Sequence, residues 1–157
     1  MNIEDDKKGA AVKFPPPLIF LILLLAAYGV QHFWPIGIGI SSGFKYFGLG
    51  IVMLGISIVI LVSRSFKHAK TNIEPWKPTT NIISTGIFAY SRNPIYAAFC
   101  LVPMGMGVFL NSFWILISFI PSAVLVYTLA IRKEEAYLEK KFGEEYVHYK
   151  SKVRRWL

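Results

Sequence analysis

Four apolar runs constrain this chain more than any other feature. Residues 18–34, 44–62, 94–110 and 113–131 together contain a single charged residue, Lys45. Runs of this length approach or reach what a helix needs to cross the hydrocarbon layer. Within lipid, every spanning backbone group must be satisfied by the fold itself, and a helix does this inside one segment. The apolar residues lie in blocks, not at amphipathic spacing, and 54% of the 157 residues are hydrophobic, a membrane composition. The expected fold class is all-α: a polytopic membrane helix bundle with four transmembrane helices, a polar loop and a helical C-terminal extension. One domain over residues 1–157 is the expectation from length.

The net charge of +8 invites a nucleic-acid reading, but the placement of the charges opposes it. Lys and Arg gather in the amino tail, in the connection 63–90 and in the carboxyl tail, whereas the other two connections are nearly free of them. That asymmetry orients a membrane protein. It places both termini and the long connection in the cytoplasm, and no nucleic-acid partner is expected. Residues 1–14 read as a short flexible tail. The run 18–34 competes with a signal peptide, but acids precede it and no small-residue cleavage site followed by soluble sequence is present, so a retained helix is expected. The single cysteine, Cys100, excludes an intrachain disulfide, and His32, His68 and His148 are too scattered for a metal site. No metal is expected.

Between the apolar runs, Ser63 to Tyr90 is the one long polar connection, and such loops are often functional. Its continuation, Ser91-Arg92-Asn93-Pro94, stands where the third apolar run begins. Proline suits a first helical turn, and Ser and Asn are good caps. A helix start with Arg92 beside it could receive a carboxylate or phosphate. The alternative is an ordinary capped helix whose arginine snorkels to lipid headgroups. Further on, the 113–131 run continues into the charged segment 132–142, with Glu134 and Glu135 just past the apolar block. Alone, that pair reads equally as a solvated helix face. Small residues in the second run, Gly48, Gly50, Gly55 and Ser57, read as a helix-packing face, with a cofactor wall as the alternative.

Three ordered elements carry a family resemblance over roughly residues 75–156. Arg92-Asn93-Pro94-Ile95-Tyr96 resembles the Arg-His/Asn-Pro-x-Tyr motif of small integral-membrane methyltransferases, the isoprenylcysteine carboxyl methyltransferase and phospholipid methyltransferase family. Thr85-Gly86-Ile87-Phe88 is similar to their Thr-x-Gly-x-Tyr/Phe element. Glu134-Glu135 followed by Phe142-Gly143-Glu144-Glu145-Tyr146 and Tyr149 resembles their closing Glu pair and Phe-Gly-x-x-Tyr-x-x-Tyr.

The resemblance implies S-adenosylmethionine as cofactor and methyl transfer to a hydrophobic, membrane-accessible acceptor, a carboxylate, thiol or amine on a lipid-like or prenylated molecule. It implies membrane lipid as partner and a bacterial or archaeal inner membrane as location, with the C-terminal segment 132–157 closing the cofactor site. It points to Thr80, Asn81, Ile82, Ile83, Phe88, Asn93, Pro94, Ile95 and Tyr96 as pocket-forming and to Glu134 as a cofactor contact. Catalytic residues stay unassigned, with Arg92, Asn93 and Arg132 as candidates.

Two departures matter. Asn93 stands where many relatives carry His, and an amide cannot serve as a base near neutral pH. Ala130 occupies the position of an Arg suited to a prenylcysteine carboxylate, and Arg132, two residues later, points to another helix face. Two alternatives accompany the methyltransferase reading. One is a nicotinamide-dependent reductase like the membrane sterol reductases, whose end region is similar but which usually have more spanning helices. The other is a non-enzymatic membrane protein whose basic loop binds anionic lipid.

Overall fold

The computed structural model describes residues 6–156. Its helices are α1 (Pro16–Phe33), α2 (Lys45–His68), α3 (Pro94–Phe109), α4 (Phe113–Ile117), α5 (Phe119–Val126), α6 (Arg132–Phe142) and α7 (Glu144–Lys152), with a 3-10 turn at Gly86–Ala89. Among the described residues there is no strand, only an isolated bridge between Ser91 and Arg154. Three helical stretches are long and apolar enough to cross a membrane: Pro16–Phe33, Lys45–His68 and the composite Phe113–Phe142. The expected fourth span corresponds to α3, an apolar helix of 16 residues. Leu21, Leu25, Phe47 and Leu54 are all at least half exposed on the first two spans, which suits surfaces facing acyl chains rather than water.

The composite helix is interrupted where its sequence demands it. Pro121 has no N–H and its ring crowds the carbonyl four residues back, that of Ile117. Helix α4 ends at Ile117, and the Ser118 N–H donates to Ile115 O in a tighter turn. A wide π-helical segment at Tyr127–Ile131 then joins α5 to α6. Such segments are uncommon and often lie next to functional residues. Within it Ala130 and Ile131 are completely buried, directly before the charged run that starts at Arg132.

The chain divides into two compact units. The apolar unit, Pro16–Val59 with Ile95–Val126, holds α1, most of α2, α3, α4 and α5. It packs by close backbone approach. A Cβ on Gly48 would lie 2.5 Å from the Gly105 carbonyl oxygen, and one on Gly105 would lie 2.5 Å from that of Gly48. Gly55 meets the Ala98 carbonyl in the same way, whereas Gly50 faces open space. Half of the small-residue run is therefore packing face. The hairpin between α3 and α4 turns at Asn111, whose φ is +50°. Its side-chain oxygen accepts from the N–H groups of Ile38 and Ile40 at 3.1 and 3.3 Å. Ser112 caps α4 by accepting from Ile115 N and donates to Gln31 Oε1 at 2.8 Å.

The polar unit comprises the described residues up to Pro15, Ile60–Pro94, and the chain from Tyr127 onward. The amino segment departs from the flexible tail expected for residues 1–14. Ala10 and Val12 are buried, Ala10 N donates to Pro75 O at 2.8 Å, and the Asp6 carboxylate accepts from Tyr137 OH and pairs with Lys141. Tail composition is polar, but apolar Ala10 and Val12 and one well-placed acid suffice to dock it; residues 1–5 lie outside the described residues. Between α6 and α7, Gly143 has φ +55°, a conformation that disfavours any side chain.

Candidate functional site

The motif at the start of α3 and the end of the chain come together within the polar unit. Arg92 N donates to Arg154 O at 2.9 Å, and Asn93 Nδ2 donates to Arg155 O at 3.1 Å. Ser91 Oγ accepts from Asn93 N at 3.2 Å and donates to Arg155 O. Ser91 and Asn93 are buried at 1% and 7% exposure. Ser and Asn at this position suit helix capping; here Ser91 Oγ makes one such local bond, and both side chains also fasten the carboxyl-terminal segment across the motif.

Charge concentrates beneath this junction. Glu135 receives Arg155 in a two-pronged pair, Nε to Oε1 and Nη2 to Oε2, each at 2.9 Å. This geometry combines charge with two aligned donors. Arg92 Nη2 stands 3.3 Å from the same Oε1. The side chains of Arg92 and Glu135 are only 8% and 9% exposed, so two guanidinium groups share one carboxylate and the cluster carries a net positive charge. The Arg155 guanidinium also lies over the Tyr127 ring, 5.1 Å from its centre, a cation–π contact. The Glu135 hydrogen bonds hold the Arg155 guanidinium above its already high ordinary pKa.

One feature of the cluster is unusual. Arg92 Nε and Nη1 are buried and have no hydrogen-bond partner among the described residues. Buried donors are nearly always satisfied, and an unsatisfied one attached to a charged group is especially unfavourable. The two donors point to different sides of the guanidinium, so each marks a separate unmet hydrogen bond to an anionic or carbonyl oxygen.

The other sequence-derived residues distribute as follows. Phe88 is buried, packs edge-on against Phe66 with ring centres 5.7 Å apart, and its carbonyl accepts from Tyr149 OH at 2.7 Å. Burial pushes the Tyr149 hydroxyl pKa up, so it stays a donor. Thr80 and Asn81 lace the loop back to the end of α2: Thr80 N donates to Thr71 Oγ1, Thr80 Oγ1 to Lys70 O, and Asn81 Nδ2 to Ala69 O. Ile82 and Ile83 are half-buried beside them, and Pro94 is buried. Ile95 and Tyr96 begin the α3 portion of the apolar unit, where Tyr96 is 5% exposed and its ring lies 6.4 Å from that of Phe99. Arg132 is exposed, Glu134 half-buried and Ala130 fully buried.

Sequence reading missed Arg155, which sits in what looked like a short basic tail, and it gave Glu135 no role beyond membership of a pair. The signal was weak. One arginine among many cations of a charged tail has no local mark that a buried carboxylate awaits it.

Comparison with known proteins agrees with the motif reading. A family model described as phospholipid methyltransferase matches residues 44–145. Protein-S-isoprenylcysteine O-methyltransferase of Schizosaccharomyces pombe is 30% identical over 121 residues, 73% of this chain and 49% of that protein. Protein-S-isoprenylcysteine O-methyltransferase B of Arabidopsis thaliana is 31% identical over 131 residues, covering 78% of this chain and 59% of its own. An uncharacterized protein of Haemophilus influenzae is 36% identical over 63 residues, 40% of this chain and all of that one. The chain spans about half the length of the named methyltransferases it matches. With the family model covering most of the chain, and all three ordered elements inside or adjoining it, the protein belongs to the phospholipid methyltransferase and isoprenylcysteine O-methyltransferase family.

Proposed function

We propose that this protein is an integral-membrane methyltransferase that uses S-adenosylmethionine and modifies a hydrophobic acceptor reached from the bilayer. The observation that carries the reading is the pair of buried, unpartnered donors on Arg92, in a family whose named relatives are methyltransferases. The donor set fits the cofactor: its amino-acid end presents a carboxylate, whose oxygen can accept a charge-assisted hydrogen bond from one of these N–H groups. When bound, S-adenosylmethionine supplies a methyl group on a sulfonium, already a strong leaving group.

The chain's own residues then have modest tasks, namely binding, alignment and exclusion of water. Arg92 takes the carboxylate. Glu134 accepts from the amine or the ribose hydroxyls, as the motif match implies. Thr80, Asn81, Ile82, Ile83, Phe88, Asn93, Pro94, Ile95 and Tyr96 form the pocket, with Phe88 and the isoleucines as apolar walls. Asn93, tied to the Arg155 carbonyl, orients the motif and cannot remove a proton. A carboxylate or thiolate acceptor needs no base, which favours these over an ammonium acceptor. Arg132, exposed just beyond the apolar block, offers a cation to an anionic acceptor. Buried Ala130 cannot supply the carboxylate contact that an arginine there would make.

In this reading four helices span the membrane, α3 the shortest, with both termini and the connection 63–90 in the cytoplasm. Tags at the two ends should then share a compartment and a reporter at Gly39 should face the other. The function itself is tested with purified protein, labelled S-adenosylmethionine and a panel of lipid, quinone, prenyl-thiol and small-amine acceptors. Label should enter a hydrophobic acceptor, and Glu134→Gln should weaken cofactor binding by about 1–3 kcal/mol, the range for charge-assisted hydrogen bonds. Failure of every acceptor, together with no binding of S-adenosylhomocysteine, would remove the methyltransferase reading.

A further inference from the structure

Within the polar unit, the amino segment docks where the connection after α2 converges with α6. Ala10 N donates to Pro75 O at 2.8 Å. Gly9 lies so close to Lys77 that an added Cβ would fall on the Lys77 carbonyl. Two residues on, Thr79 N donates to Tyr137 OH at 3.1 Å, and Tyr137 OH in turn donates to the Asp6 carboxylate at 2.7 Å. Lys141, one turn along α6, donates to both Asp6 and Tyr137. Gly9 and Ala11 hold positive φ angles of +54° and +50°, and an alanine keeps such a conformation only where its surroundings impose it. The segment is therefore built into this junction. On its other side the same loop is tied to the end of α2 through Thr80 and Asn81.

We infer that Tyr137 is a positioning residue for the cofactor pocket, and that the amino segment is the clasp that keeps it engaged with Thr79. This role rests on the methyltransferase reading above, in which Thr80, Asn81, Ile82, Ile83 and Glu134 all meet the cofactor. Glu134 stands one turn before Tyr137 on α6, and residues three apart lie on one helix face. Thr80 directly follows Thr79, so the bond from Thr79 to Tyr137 sets the two halves of the pocket against each other. A phenol has one proton to give and lone pairs with which to accept. Because Asp6 takes that proton, a lone pair of Tyr137 is left for the Thr79 N–H. Lifting the segment frees the hydroxyl to rotate and removes Gly9 from the back of the loop. A ligand that needs the two halves in register must then, by reciprocity, also hold the segment down.

The test treats the full chain in detergent with trypsin, with and without saturating S-adenosylhomocysteine, and times cleavage between Lys8 and Gly9. Lys8 is exposed but Gly9 is buried, so cleavage requires the segment to lift, and its rate follows the lifted population. The ligand should slow this cleavage at least about fivefold, the lower end of typical couplings between sites. Cleavage after Lys45, in the apolar unit, should slow far less. Calorimetry supplies the reciprocal measurement. Gly9→Ala meets the Lys77 backbone and alters no residue of α6 or of the pocket, yet it should weaken S-adenosylhomocysteine binding several-fold. Tyr137→Phe keeps the ring and should weaken it about fivefold, the worth of one neutral hydrogen bond. A merely structural role would lower the melting temperature of both variants while their affinity, measured well below unfolding, stays at the wild-type value. That result would overturn the inference, as would bound ligand that leaves cleavage at Lys8 unchanged or slows Lys8 and Lys45 equally. If neither variant folds, proteolysis of wild type decides alone. If wild type binds no S-adenosylhomocysteine in the calorimeter, the cofactor reading falls first and the role of the clasp falls with it.

Discussion

Each of the two units of this protein coheres internally, and by opposite means. In the apolar unit, cohesion comes from what is missing: Gly48 and Gly105 lack side chains, so two backbones meet with no room for a Cβ. In the polar unit, cohesion comes from what is present: Glu135, two arginines, and a C-terminal strand bonded to the helix-start motif. The difference reflects solvent. Lipid chains are as apolar as leucine, so burying apolar surface within the membrane gains little, and close van der Waals packing takes over. Beyond the apolar runs, hydrogen bonds and ion pairs can specify one arrangement, provided that every buried charge is matched.

The sharpest way to break this contrast is Glu135→Ala. It strands Arg92 and Arg155 against each other, and loss of one partner from a buried ion cluster destabilises by about 3–5 kcal/mol. Thermal unfolding in detergent should show the polar unit's transition falling sharply, whereas Glu144→Ala, at an exposed position, should change little. An unchanged melting profile in Glu135→Ala would mean that the cluster contributes no stability.

The counterpart in the apolar unit is Gly48→Ala. The new methyl would meet two backbone atoms, Gly105 O and Phe109 N, each at 2.5 Å. Neither can swing aside, so overpacking should destabilise by about 1–3 kcal/mol. Gly50→Ala is the internal comparison, because nothing stands within 4 Å of its Cβ position. Equal effects from the two substitutions would show that helix propensity, not the crossing, sets the response.

A smaller effect is expected from Tyr149→Phe. It removes the 2.7 Å bond to the Phe88 carbonyl and should destabilise by about 1 kcal/mol, the net value of a neutral hydrogen bond. Since Phe88 belongs to the proposed pocket, S-adenosylhomocysteine should also protect this variant less against heat than it protects wild type. Full protection would detach the Phe88 turn from ligand binding.

The smallest effect concerns the docked amino segment. Hydrogen bonds from Lys141 and Tyr137 hold the Asp6 carboxyl below the ordinary aspartate range. A lowered folded pKa means stabilisation that is complete above the unfolded value near about 4 and fades as pH falls through the folded value. The melting-temperature advantage of wild type over Asp6→Asn should therefore be largest near neutral pH and vanish on acidification below that window. An advantage that grows in acid would contradict the contact.

Much of this was legible from residue order alone. Blocks of uncharged apolar residues admit little besides helices in lipid, but the reading of 113–131 as one helix did not include the break before Pro121. The motif run from Arg92 to Tyr96 and the closing Glu134-Glu135 pair are contiguous, so a linear reading could find them and the family with them. The choice between Glu134 and Glu135 for the buried cluster was not legible, because neighbouring identical residues differ only in which way the helix presents them. Nor was the docking of Ala10 on Pro75, or the role of Arg155, 20 residues beyond its carboxylate. Local sequence determines what each segment can form, since propensity and hydropathy act over a few residues. Only the tertiary structure decides which distant charge meets which, because the strength of an ion pair depends on distance, burial and competing partners that the order of residues does not contain.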